Sequence, residues 1–317
     1  MAFGGLSVDK NVFEKFKSIE DLNNIPKGDM PGDKINIDFG HLQKARGILP
    51  DLMKLLVPLM ENQPYNRAVI SVSGGSGTGK SEIASLLSYY FNETGTGSYT
   101  LSGDNYPHRI PKYNDAERLR IFRDSGIKGL VFQGQYSPER REILNELQKA
   151  NHDFDPGCVQ NHPWMLIYQD EGKKGLRKYL GTPNEINFNE LNEIISKFRA
   201  GTDKLYLKRM GRKEEDIWYE LVDFKSIKVL VIDWTHGISS YLEGVDIPIL
   251  LSSKPQDTLK FRKSRNRDSG ADSPFTEIVL NIEQELLISR AKAAKLIVSE
   301  NGEIISYNDY LKAMTED

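Results

Sequence analysis

The chain has few of the residues that staple, repel or span. One cysteine in 317 residues, Cys158, excludes an internal disulfide or a thiolate metal cluster, and it reads as an incidental thiol. No charge of one sign is in excess: 42 Lys+Arg against 45 Asp+Glu give a formal net charge of -3, which fits neither a polybasic nucleic-acid binder nor an acidic solvating tail. Long apolar runs are missing too. The most apolar stretch, Ile48 to Met60, is broken by Pro50, Asp51, Lys54 and Pro58 and is too short to cross a bilayer. Asp9 and Lys10 stand where a secretory signal needs an apolar core. No fixed-period repeat appears. The expectation is a soluble cytoplasmic protein with no nucleic-acid or membrane partner.

What is present is an alternation. Residues 1 to 66 read as an N-terminal extension, turn-rich through Pro26, Gly28, Pro31 and Gly32, then helical in one or two pieces from Leu42 to Met60. Arg67 to Ser73 is a β-branched run suited to a buried parallel strand, and Lys80 to Phe91 has helical spacing. Further strands are expected at Ser98–Leu101, Ile227–Asp233, Ile247–Leu251 and Ala294–Ser299. Helices are expected at Asp115–Asp124, Pro138–Ala150, Asn189–Ala200, Gln256–Arg267 and Thr276–Ala293. This predicts an α/β protein with a mostly parallel sheet covered on both faces, one domain over 67–317 and an inserted segment at about 126–182 that fits the alternation poorly.

Between the first strand and the first helix of that alternation lies GGSGTGKS, residues 74 to 81, with Gly74, Gly79, Lys80 and Ser81 at the positions of G-x-x-x-x-G-K-[ST]. Gly75, Ser76, Gly77, Thr78 and Gly79 let successive backbone N–H groups point inward around phosphate oxygens. Lys80 adds a positive charge for the outer phosphates, and the Ser81 hydroxyl suits magnesium. The strand before and the helix after turn a glycine-rich loop into a nucleoside triphosphate site.

The rest of the chain bears on what happens to the phosphate. No Asn-Lys-x-Asp guanine-reading run occurs, which excludes an ordinary GTPase. A kinase needs an acid to take the acceptor's proton, an acid for magnesium, and mobile cations. Asp104, in LSGDNYPHR, follows the second strand and is either the proton acceptor or a turn-favouring residue. Asp233 ends the apolar run KVLVID, as a magnesium-side acid or as a helix cap. Arg262, Arg265 and Arg267 in FRKSRNRD form either a closing lid over the phosphates or a solvated helix face.

In order, GGSGTGKS, LSGDNY, GTPNEINFNELNEIISKFRAG, VLVID, RNRD and AKLIV resemble the phosphoribulokinase and uridine kinase family of P-loop kinases, over about residues 67 to 300 and discontinuously. The resemblance implies a P-loop NTPase three-layer fold using ATP and Mg2+. It assigns Lys80 and Ser81 to ATP and the metal, Asp104 to the general base, Asp233 to the late acidic position, and Arg267 with Asp268 to the lid. Through DNYPHR and DWTHG it sets Tyr106, His108, Arg109 and His236 on the acceptor side. Arg209 and Arg212 fall where the family's substrate loop would lie, either binding an acidic substrate or forming a solvated basic loop. His108 and Arg109 either grip an anionic acceptor or form a surface turn. Trp164, Trp218 and Trp234 either stack on a ring or pack the core.

Two departures stand out. Thr182–Asn187 reads TPNEIN where nucleoside kinases of the group carry His-Pro-Asp-Ala-Phe-Asp, and SGAD follows the lid's Arg-Asp in place of Arg-Gly-Arg. The expected activity is transfer of the γ-phosphoryl of ATP to a hydroxyl of a sugar, sugar phosphate or related polyol. A nucleoside kinase and a nucleotide-binding regulator are the alternatives. The expected partner is a small hydroxyl substrate, anionic or not, with a homodimer left open.

Overall fold

The computed structural model describes residues 9–33, 35–254, 256–259 and 273–315. Its helices are α1 (Ile19–Asn23), α2 (Phe39–Asn62), α3 (Lys80–Glu93), α4 (Pro111–Phe132), α5 (Pro138–Ala150), α6 (Cys158–Asn161), α7 (Met165–Arg177), α8 (Phe188–Arg199), α9 (Pro274–Arg290) and α10 (Tyr307–Thr315). Its strands are β1 (Ala68–Ser73), β2 (Ser98–Ser102), β3 (Lys204–Met210), β4 (Ile217–Asp223), β5 (Val229–Asp233), β6 (Ile247–Leu251), β7 (Leu296–Val298) and β8 (Ile304–Ile305). None of the described helices is long and apolar enough to cross a membrane.

The chain divides into two compact units. The first takes residues up to Tyr106, the stretch from Asn187, and everything from Leu286. The second takes Pro107–Ile186 and described residues up to Glu285, a wider span than the insertion read from the sequence.

The first unit is built on a six-stranded sheet in the order β2-β5-β1-β6-β7-β8, parallel except for the final β7–β8 pair. Both β1 and β5 are buried along their whole length, as a strand covered on two faces must be, and their β-branched runs follow from that. The N-terminal extension is part of this unit's main core. Phe13, Leu22, Ile25, Ile35 and Ile37 join one buried cluster with Leu52 and Leu56 of α2, Leu86 of α3, and Val72, Val231, Ile249 and Val298 of the sheet. The helical pattern of the extension is one helix, α2, which continues through Pro50 and Pro58. Each proline removes a helical N–H donor, and burial of Leu49, Leu52, Met53, Leu56 and Met60 along one face offsets that loss.

The sequence did not reveal the antiparallel β3–β4 pair, closed by the Gly211 amide donating to the Asp216 carbonyl at 2.7 Å. Nearly every residue of β4 is exposed, so the hydrophobic alternation that marks a half-buried strand is missing. The stretch read as a basic substrate loop is strand β3 and its turn.

The second unit is helical. Phe122, Leu130, Leu144, Phe154, Met165 and Tyr168 form its core, with Phe122 edge-on to Tyr168 at 5.8 Å. A Cβ on Gly126 of α4 would lie 2.6 Å from the Tyr168 ring, and one on Gly175 of α7 would lie 1.9 Å from Ser125 Oγ. Glycines let the two helices approach around the Phe122–Tyr168 contact, and α4 buries only Asn114, Phe122, Gly126, Gly129 and Leu130, so it shows little apolar periodicity in the sequence.

Candidate active site

The sheet register assembles the site. Val72 of β1 lies opposite Asp233 of β5, and Asp233 lies opposite Ser102 of β2, so three parallel strands end abreast. Open α/β sheets hold ligands beyond such carboxyl ends. From β1 the chain runs into the glycine-rich loop, from β2 into a single 3-10 turn (Gly103–Asn105) carrying Asp104, and from β5 into Asp233–Gly237.

The loop has the backbone that an anion cradle needs. Gly79, which caps α3, sits at φ +86, a left-handed conformation that side-chain-bearing residues rarely adopt. Lys80 Nζ donates to the Gly75 carbonyl at 2.9 Å, folding the ammonium back along the loop. Thr78 Oγ1 is buried with no hydrogen-bond partner among the described residues, a polar group the protein itself leaves for something else.

Four of the expected site residues come together here. Asp233 is buried, and its carboxyl is pushed up to about 6 by burial. Lys80 and a hydrogen bond with the Ser81 side chain pull it back down, while the charges of Asp104 and Glu82 push it up. Ser81 is buried beneath the loop, and Asp104 is exposed at its turn. A hydroxyl and a buried carboxylate are the hard oxygen donors magnesium prefers, and they fit that ion. Among the described residues no group of three or more His, Cys, Asp or Glu could hold a metal.

Packing fixes the segments around Asp104 and Asp233. The Trp234 ring lies on Gly103, where a Cβ would come within 2.1 Å of Trp234 Cγ. His236 is buried edge-on to Trp234 at 5.2 Å, and the Gly237 carbonyl accepts from Ser71 Oγ of β1 at 2.7 Å. Trp234 therefore packs, and Trp218 stands exposed on β4.

The extension supplies a buried acid that the motif reading missed. Asp29 accepts hydrogen bonds from the Ser102 amide at 2.7 Å, Asn105 Nδ2 at 3.2 Å, the Tyr99 hydroxyl at 3.0 Å and Arg209 at 2.9 Å. It thus holds both sides of the turn that carries Asp104. Burial raises its carboxyl to about 6 against the opposing pull of Arg209 and the donated hydrogen bonds. Arg209 is equally buried and also reaches Glu220 at 3.0 Å, so its guanidinium is engaged inside the protein. Tyr106 is fully buried, and Arg212 is exposed on the β3–β4 turn. No sequence signal pairs Asp29 with Arg209, 180 residues away.

In the second unit, His108 bonds the Pro183 carbonyl through its ring at 2.9 Å, and Arg109 donates to the Tyr179 hydroxyl at 3.1 Å. Glu185, inside the TPNEIN run, is buried and accepts from Arg118 at 2.7 Å, Asn114 at 3.1 Å and the Gly181 amide at 2.7 Å. Arg262, Arg265 and Arg267 lie outside the described residues, as does most of the helix expected at Gln256–Arg267.

A parallel sheet whose first strand enters a G-x-x-x-x-G-K-S loop, with an acid at the end of the neighbouring strand, defines a P-loop α/β protein. No protein-family model matches the chain. Over 239 residues, 75% of its length, it is 40% identical to the bifunctional alpha-galactosidase/sucrose kinase AgaSK of Mediterraneibacter gnavus. The chain spans about a fifth of that relative, 21% of its length. This relative bears out the likeness to kinases read from the ordered motifs. Solved structures align at lower similarity. A possible uridine kinase from Bacillus stearothermophilus matches at 12% identity and a TM-score of 0.39, covering 78% of this chain and 98% of that one. The D-glycerate 3-kinase of Cryptococcus neoformans var. grubii matches at 10% identity and a TM-score of 0.45, covering 84% and 97%.

Proposed function

We propose that the protein is an ATP- and magnesium-dependent kinase that phosphorylates a hydroxyl of a sugar or related polyol. The observation that carries this reading is the meeting of Lys80, Ser81, Asp104 and Asp233 at the ends of three parallel strands beside the phosphate loop. The 40% identity to a relative named in part as a sucrose kinase supports a sugar as acceptor.

In this mechanism the acceptor hydroxyl gives its proton to the Asp104 carboxylate while its oxygen attacks the γ-phosphorus of ATP. The bond from that phosphorus to the β,γ-bridging oxygen breaks, and ADP leaves with the electron pair. The loop amides and Lys80 hold the phosphates and offset their charge. Ser81 and Asp233 would hold magnesium, which when bound neutralises phosphate oxygens. Asp29 and the Trp234 ring position the turn of Asp104. Arg267, Arg262 and Arg265 are assigned to closure over the phosphates. His108, Arg109 and His236 are assigned to the acceptor, and Arg209 is assigned to the internal pair with Asp29. An enzyme supplied by ATP is assigned to the cytoplasm.

The test is ADP release by the purified chain with ATP and magnesium, against panels of sucrose and other free sugars, sugar phosphates, polyols and nucleosides. Stimulation by the sugar panel is expected. Stimulation by nucleosides alone, or ATP binding with no stimulated turnover in any panel, would overturn the assignment.

A further inference from the structure

A cavity of about 340 Å³ opens beside the phosphate loop, within the first unit. That is at the small end for ligand sites, which run from about 300 to 1,000 Å³. One wall is the start of α2, with His41 and Lys44. Thr78 of the phosphate loop, Ser253 after β6, and Glu300 and Asn301 after β7 line it as well. Thr78 Oγ1 and Ser253 Oγ are both buried and without a hydrogen-bond partner among the described residues. Two orphaned hydroxyls in one cavity point to a polar ligand that completes them.

The extension is built into this cavity by a helix cap. Asp38 caps α2, accepting the His41 amide at 2.9 Å, and the Asp38 amide donates back to His41 Nδ1 at 3.3 Å. This closes a capping box in which histidine takes the usual place of Glu or Gln. The ring is thereby turned so that Nε2 faces Gly79, where a Cβ would lie 2.8 Å from it. Lys44, one turn on, is partly buried, and burial lowers its pKa while Glu300 and Asp38 oppose that shift.

The chemistry of the walls selects which part of a nucleotide belongs here. The amide cradle at Gly75–Ser81 takes phosphates. Asp38, Asp257 and Glu300 around the cavity would repel further phosphate, yet carboxylates accept readily from sugar hydroxyls and base amines. We infer that this cavity is the nucleoside half of the triphosphate site, and that the N-terminal extension completes it through His41 and Lys44. The inference rests on reading residues 74–81 as a triphosphate loop, and it gives residues 38–44 a ligand-binding role.

Calorimetric titration of the full chain with two probes, ATP and inorganic tripolyphosphate, tests it. In Lys44→Met and Asn301→Ala, ATP is expected to bind about ten-fold more weakly, the loss of one polar contact, with tripolyphosphate binding unchanged. An unchanged ATP affinity in both variants overturns the inference. So does an equal loss for both probes, because the residues would then serve the phosphate loop alone. Wild-type protein that binds neither probe would instead refute the triphosphate reading itself. Thermal melts of both variants identify any that fail to fold, and the other then decides.

Discussion

Replacing Asp29 by alanine removes the acid on which four donors converge: the Ser102 amide, Asn105, Tyr99 and Arg209. Breaking a buried ion pair from one side costs about 3–5 kcal/mol, because the surviving charge stays desolvated. Here the lower end applies, about 3 kcal/mol. Arg209 keeps the largely exposed Glu220 at 3.0 Å and the Tyr99 hydroxyl at 2.8 Å. The assay is urea unfolding followed by circular dichroism at pH 7, comparing Asp29→Ala with wild type. The pH dependence gives a second, signed readout. Burial holds Asp29 at about 6, above its unfolded value of 3.8, so the folded state binds more protons between those values. The proton-linked part of its contribution is complete only below the unfolded value of 3.8 and is lost as pH rises through about 6, leaving the pair with Arg209 and the donated hydrogen bonds at pH 7. The advantage of wild type over the alanine variant therefore narrows by about 2 kcal/mol from pH 4 to pH 7. A loss under about 1 kcal/mol at pH 7 would show that the pair does not hold the extension to β2. An advantage that widens with pH would show that Arg209 outweighs burial.

Two further substitutions probe the active-site turn. Asp104→Asn leaves an exposed position nearly isosteric, so folding and ATP affinity stay close to wild type while turnover falls by roughly 10²–10⁴, the usual loss for a general base; single-turnover phosphoryl transfer checks it, and unchanged turnover removes Asp104 from the chemistry. Gly103→Ala drives a methyl into the Trp234 ring, with contacts of 2.1 to 2.5 Å, and should cost about 1–3 kcal/mol of stability and depress turnover through the adjoining Asp104. Unfolding and acceptor-stimulated ADP release read both effects.

Much of the candidate site was legible because its parts are covalently local. The phosphate loop is eight consecutive residues, and each acid sits at or just beyond the end of an apolar strand whose burial pattern fixes it in a parallel sheet. The parallel arrangement follows from the alternation of strands and helices, and the register then brings Ser102, Asp233 and Val72 abreast. What the sequence hid depends on distant partners. Arg209 reads as one more basic residue in YLKRMGRK until Asp29 is found against it. His41 carries no signal beyond its three-residue spacing from Asp38, a capping box with an unusual closing residue. In the second unit the expected helices at Asp115–Asp124 and Pro138–Ala150 match part of α4 and all of α5, while the second half of α4 and α7, which approach each other through glycines such as Gly126 and Gly175, were not read.

The sharing of one core between the extension and the sheet has a consequence for how the protein can be made and trimmed. Ile35, Ile37 and Leu42 bury against a cluster that also contains Val298, so their apolar surface is covered only once residues some 250 positions later are in place. A fragment starting at the first strand would lose that cover and expose apolar side chains of α3 to water, leaving the glycine-rich loop with no stable body to stand on.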